Sequence, residues 1–161
     1  MILQAVMFAE QAHRGQMRKY TGIPYITHCL EVAQTVSSVG GTQEQVVAAI
    51  LHDTVEDTDV TLSELEKLFG MEVAIYVEWL TDCGKEIGNR ATRKKIDCAR
   101  LSQAPDEVQT IKLADLLSNT ATIAAYDPAF AKVYLAEKRD LLAVMRGGHS
   151  SLRRIAVEQC K

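Results

Sequence analysis

Nowhere does this chain alternate apolar and polar residues, with β-branched side chains, over a run long enough to make a strand. Only three prolines and nine glycines interrupt 161 residues. Apolar positions recur instead at helical spacing, and the fold class that follows is all-α. With 47% hydrophobic residues the chain can bury a core of its own without disulfides or a structural metal. We read residues 1–161 as a single helical domain, with no repeat, low-complexity tract or linker to divide it.

The punctuation sets the helices. Residues 2–13 open the chain, and the segment RGQMRKYTGIPY, with two glycines and Pro24, forms a basic loop after them. A helix is expected over 26–38, stopped by Gly40-Gly41. Thr42 with Gln45, and Thr61 with Glu64, have capping-box spacing before the next two. A further helix spans 71–80. Pro105 fits a first helical position, and the helix over 108–125 ends at Asp127-Pro128, which starts another reaching about Arg146. Gly147-Gly148 then precedes a short C-terminal helix.

Eighteen basic and 21 acidic residues give a formal net charge of −3, so no global charge invites nucleic acid. The N-terminus meets Glu10 and His13 before any long apolar run develops, which argues against a signal peptide or membrane span. Cys29, Cys83, Cys98 and Cys160 show no CxxC spacing and read as small apolar residues of a reducing cytoplasm.

The segment AAILHDTVEDTD concentrates four coordinating or titrating groups in six residues. If the helix continues through it, His52 and Glu56 share one face and Asp53 and Asp57 the adjacent one. Imidazole and carboxylate without thiolate suit a hard or borderline divalent ion, with manganese preferred over iron, magnesium or zinc. Taken alone, the dipeptide reads more readily as a helix terminus followed by acidic residues. His28, on a separate helix, and Asp115, within the apolar IKLADLLSN, shift that balance. A carboxylate at 115 needs a partner. A metal fits, and so does an ion pair with Lys112 or a hydrogen bond with Asn119, at i−3 and i+4.

His28, His52-Asp53 and Asp115 in this order resemble the H…HD…D signature of the HD-domain phosphohydrolases. The stretches AHRGQMRKYTGIPYITH, AAILHDTVEDT, LFGMEVAIYVEWLTD and IKLADLLSNT resemble the hydrolase domain of the RelA/SpoT alarmone enzymes, the single-domain small alarmone hydrolases in particular. The resemblance implies a helical bundle holding one Mn2+ and removing the 3′-pyrophosphate of ppGpp or pppGpp to leave GDP or GTP. It implies His28, His52, Asp53 and Asp115 as metal ligands and Glu56 and Asp57 as the acidic pair that positions and activates water. Arg18 and Lys19 match the basic nucleotide-contacting loop, and Asn119 matches a position next to the substrate. Cys29 departs from the proline that many relatives carry after the histidine ligand, a change at helix entry.

The implied partner is a small-molecule guanine nucleotide, with neither nucleic acid nor membrane. Two other readings share these residues: an HD phosphatase acting on another nucleotide such as NADPH, and a catalytically silent nucleotide sensor. Intact Glu56 and Asp57 disfavour the sensor. The RATRKK run reads as solvated surface charge. His13 reads as a structural histidine, His149 as exposed in a turn, and Tyr76 and Trp79 as packing residues on a helical stripe.

Overall fold

The computed structural model describes the backbone of all 161 residues and every side chain except that of Lys85. Among the described residues, ten α-helices, α1 to α10, and one 3-10 turn at Lys85–Ile87 make up the regular structure. Among the described residues the sole β pairing is an isolated bridge between Met17 and Pro24, as the missing alternation requires. Among the described residues no helix is long and apolar enough to cross a membrane. The chain divides into two compact units, Met1–Thr81 and Asp82–Lys161.

In the first unit, α3 (Gln43–Leu51) is buried from Gln45 to Leu51. It is apolar around its whole circumference, as a helix enclosed by neighbours must be. It packs against α1 (Ile2–Ala12), α2 (Ile26–Ser38) and α6 (Met71–Leu80), while α5 (Leu62–Phe69) packs on α6. Thr42 caps α3 through a reciprocal box with Gln45, with bonds of 3.2 and 2.7 Å. Thr61 caps α5 by accepting from the Glu64 amide. On α2, His28, Val32 and Val36 recur every four residues and face the core with Cys29 and Ala33. His28 is therefore held by the same periodicity that holds the core.

The helix does not continue through the His-Asp pair. α3 stops at Leu51, His52 and Asp53 form a turn, and α4 is a single turn, Thr54–Asp57. Side chains take the carbonyls that continued helix would have used. The Thr54 hydroxyl donates to Leu51 O at 2.7 Å, and His52 Nδ1 lies 2.8 Å from Ala49 O.

The second unit consists of α7 (Arg90–Leu101), α8 (Asp106–Tyr126), α9 (Pro128–Val144) and α10 (Ser150–Glu158). Pro105 is the N-cap of α8 rather than its first helical residue. The helix ends where Pro128 removes a donor, and Asp127 then caps α9 through the Phe130 amide. Gly148, at φ +79°, brings α10 against α8, and a Cβ there would sit 3.0 Å from the Gln109 and Thr110 backbone. His149 is half-buried rather than exposed, its amide donating to Thr110 Oγ1. Trp79 and Tyr76, expected in the core, lie at its edge, and the Tyr76 hydroxyl donates to Glu72.

The RATRKK run is tied down as well. Arg90 forks onto Glu137 at 2.6 and 2.7 Å, Arg93 donates to Gly88 O, and Lys94 pairs with Asp82. The run still lies at the surface, with Arg90 and Lys95 exposed, and these are surface ion pairs added to solvated charge.

Lys138 on α9 is 2% exposed, with its ammonium on two neutral acceptors, Thr120 Oγ1 at 2.8 Å and Gln159 Oε1 at 2.7 Å. Burial pulls its pKa from the ordinary 10.5 down to about 8. Between those two values the folded chain binds fewer protons at this site than the unfolded chain. Its contribution to stability therefore rises with pH from about 8 to 10.5. Urea unfolding of wild type and Lys138→Met across that range should show wild type gaining on the variant as pH rises. A constant difference would exclude a depressed lysine.

Candidate metal centre

Two elements of the first unit deliver the three donors. α2 supplies His28 from its core stripe, and the turn closing α3 supplies His52 and Asp53. Both imidazoles are almost fully buried, at 1% and 3% exposure. Their Nε2 atoms point at one carboxylate oxygen: Asp53 Oδ2 lies 3.6 Å from His28 and 3.1 Å from His52. One ligand atom from each residue falls within 4.8 Å of the others. The two rings meet edge to face, with centroids 5.2 Å apart.

The hydrogen bond at the far side of His52 fixes what this geometry asks for. A carbonyl only accepts, so His52 Nδ1 must carry its proton toward Ala49 O. In the neutral ring Nε2 then presents a lone pair, and it faces an acceptor oxygen. Two acceptors at 3.1 Å repel unless positive charge lies between them. A divalent cation resolves the conflict, and the donor set of two imidazoles and a carboxylate fits such an ion. The backbone contact to Nδ1 is also the type of support that orients metal-binding histidines.

Glu56 and Asp57 lie in α4, immediately after this cluster, and both are exposed. The Asp57 amide donates to Asp53 O at 2.9 Å, so the acidic pair is joined through backbone to the His-Asp turn. Arg18 and Lys19 occupy the loop between α1 and α2. Gly22, at φ +67°, turns this loop back so that Arg18 N meets Ile23 O at 2.8 Å. Lys19 is exposed, whereas the Arg18 side chain is 7% exposed and bonds Glu31 at 2.9 Å. His13 is buried beside this loop, its Nδ1 2.8 Å from Gln16 Oε1, in agreement with a structural histidine.

Asp115 and Asn119 belong to α8 in the second unit. Both partners anticipated for Asp115 are present: Lys112 Nζ at 3.0 Å and the Asn119 amide, which donates at 2.6 Å. Lys112 also reaches Asp82 Oδ1 at 3.9 Å, and Lys94 meets the other Asp82 oxygen at 2.5 Å. Burial pushes the Asp82 carboxyl upward, but Lys112 and Lys94 together outweigh it and hold it below its ordinary 3.8. Asp115 thus ends an alternating row of charges. Burial first, and the Asp115 carboxylate second, push the Tyr134 phenol well above its ordinary 10.

Two participants escaped the sequence reading. Asp82 carries no local signal, because its lysines come from 12 and 30 positions further on. Tyr25 did carry one. Its hydroxyl donates to Asp53 Oδ2 at 2.6 Å, and its place three residues before His28 is a same-face helical spacing.

Comparison with known proteins places this arrangement. A family model described as HD domain matches residues 5–147. The chain belongs to the HD domain family. This HD domain is 40% identical over 121 residues to human guanosine-3′,5′-bis(diphosphate) 3′-pyrophosphohydrolase MESH1, covering 73% of this chain and 66% of the human protein. It is 37% identical over 147 residues to a probable guanosine-3′,5′-bis(diphosphate) 3′-pyrophosphohydrolase of Synechocystis, covering 89% of this chain. It spans about a fifth of that relative's length, 19%. Among solved structures, a metazoan ortholog of SpoT, described as hydrolysing ppGpp and playing a role in starvation responses, superposes with a TM-score of 0.89. That match covers 98% of this HD domain and 92% of the ortholog at 27% identity. The all-α, HD-type fold is thereby shown.

Proposed function

We propose that the chain is a manganese-dependent hydrolase that removes the 3′-pyrophosphate of ppGpp or pppGpp, working in the cytoplasm as one HD-type domain over residues 1–161. One observation carries the chemistry: two buried imidazole nitrogens converge on Asp53 Oδ2, with an exposed acidic pair in the next turn. The relatives named as 3′-pyrophosphohydrolases support the substrate, and the family match, which runs from 5 to 147, supports the domain. None of the four cysteines is in a disulfide, which suits a reducing compartment.

In this reading His28, His52, Asp53 and Asp115 hold the ion. A bound divalent ion supplies Lewis acidity, withdrawing charge from phosphoryl oxygen and acidifying water. Glu56 or Asp57 takes the proton of the attacking water as its oxygen bonds to the phosphorus nearest the ribose. The bond from that phosphorus to the 3′-oxygen breaks, the 3′-oxygen gains a proton, and pyrophosphate departs. Arg18 and Lys19 neutralise phosphate charge. Glu31 engages one nitrogen of Arg18, and the guanidinium has five donors to distribute. Asn119 orients Asp115 and lies next to the substrate.

Purified protein with manganese should convert ppGpp into GDP and pyrophosphate in equal amounts, resolved by ion-exchange chromatography, and should leave NADPH unchanged in the same panel. Orthophosphate as the first product, or faster turnover of NADPH, would replace this reading with that of another nucleotide phosphatase.

A further inference from the structure

Asp53 faces both imidazoles through one particular oxygen, and a carboxylate does not select such an orientation unaided. The terminal torsion of aspartate is broad, so the group can turn that oxygen away at little cost. What holds it is the Tyr25 hydroxyl, donating to Oδ2 at 2.6 Å across 28 residues of sequence. The tyrosine is itself fixed. It is the N-cap of α2, already at helical angles of φ −61° and ψ −33°, and its amide donates to Gln16 O at 3.0 Å, closing the loop around the Met17–Pro24 bridge. Its ring lies between two imidazoles, with centroids 5.0 Å from His13 and 5.6 Å from His28.

The same loop also grips the far end of the turn. Gln16, whose Oε1 meets His13, donates through Nε2 to Asp57 O at 2.9 Å. One segment, 13–25, therefore contacts the Asp53 side chain and the Asp57 backbone, bracketing the residues that would hold the ion and activate water. Only the first of these contacts reaches an atom that would itself ligate.

We propose that Tyr25 is a positioning residue for the metal centre, its hydroxyl setting Asp53 Oδ2 in the orientation that meets both histidines before any ion arrives. The inference rests on the metal reading above. Supports of this type change metal affinity by about 10- to 100-fold when removed. Tyr25→Phe deletes the hydroxyl while leaving the ring between His13 and His28, and Asp53, at 18% exposure, can exchange the lost bond for water.

The test is made on the full chain stripped of metal, without nucleotide. Manganese affinity is read by competition with a chromophoric chelator, and cobalt(II) is added separately so that its visible absorption reports coordination geometry. Tyr25→Phe should retain the circular dichroism and melting temperature of the metal-free wild type. It should bind manganese about 10- to 100-fold more weakly and give an altered cobalt spectrum. Tyr76→Phe, which deletes the hydroxyl that meets Glu72, should match wild type in both. Tyr25→Leu, also lacking the hydroxyl, serves if the Phe variant is unstable. Wild-type affinity and spectrum in a folded Tyr25 variant overturn the positioning role and leave the metal centre standing. Failure of wild type to bind either ion overturns the metal reading, and this inference with it.

Discussion

His52→Ala and Asp53→Ala should each abolish manganese binding, and with it hydrolysis of ppGpp. Both residues face a conflict that only positive charge resolves: an imidazole lone pair, defined by the Nδ1 contact to Ala49 O, directed at Asp53 Oδ2. Removing either group removes one of three buried or half-buried donors that lie within 4.8 Å of one another. Chelation of the wild-type protein should stop turnover, and manganese should restore it.

Binding should also be visible without substrate. An ion that binds only the folded chain stabilises it by about 2.7 kcal/mol at a hundredfold excess over Kd, and the wild-type melting temperature should rise accordingly. The two alanine variants should show no rise. Their metal-free melting temperatures give the baseline, so loss of the ion is separated from loss of the fold. Full activity in the chelated wild type, or metal-dependent stabilisation of both variants, is the result this account does not survive.

Most helices were legible because local signals and tertiary packing agree, whereas α7, rich in basic residues, was not read as one. α2 occupies the interval between Pro24 and Gly40 over which it was expected, and α3 begins at its Thr42 box. The HD pair was legible as chemistry and as the place where α3 ends, but the turn that follows was not. Whether His52 continues α3 or leaves it depends on the capture of Ala49 and Leu51 carbonyls by His52 and Thr54, a competition between side chain and backbone that periodicity does not register. Pro105 illustrates a smaller ambiguity, since a proline that opens a helix suits the cap and the first turn almost equally.

Charged residues were harder to place, because their partners are distant in sequence. Arg18 looked like an open phosphate contact and is also an ion-pair partner of Glu31. Arg90 looked solvated and is held by Glu137, 47 residues away. By contrast, both partners of Asp115 lie within one helical turn, and both were anticipated from spacing alone. Tyr25 lies between these cases: its spacing from His28 is local, but the carboxylate it meets lies 28 residues away in the turn after α3.

Glu56→Gln and Asp57→Asn should separate catalysis from coordination. Each substitution preserves shape and hydrogen-bonding capacity while removing a base. Both side chains are exposed, and backbone bonds anchor Asp57, its amide donating to Asp53 O and its carbonyl accepting from Gln16. The melting temperature of the metal-free protein should therefore hardly move. Manganese should still bind, because His28, His52 and Asp53 are untouched. Turnover should fall by roughly the 10²–10⁴-fold that loss of a positioned general base costs, in whichever variant lacks the group that takes the proton from water. The measurement is paired, with metal content and single-turnover hydrolysis of ppGpp on the same preparations and His28→Ala as the contrasting ligand variant. That variant should lose ion and activity together. If both acidic variants bind manganese and turn over like wild type, water activation belongs to other residues. If they lose the ion instead, the pair supports the metal rather than the water, and the turn from His52 to Asp57 is a single coordinating unit.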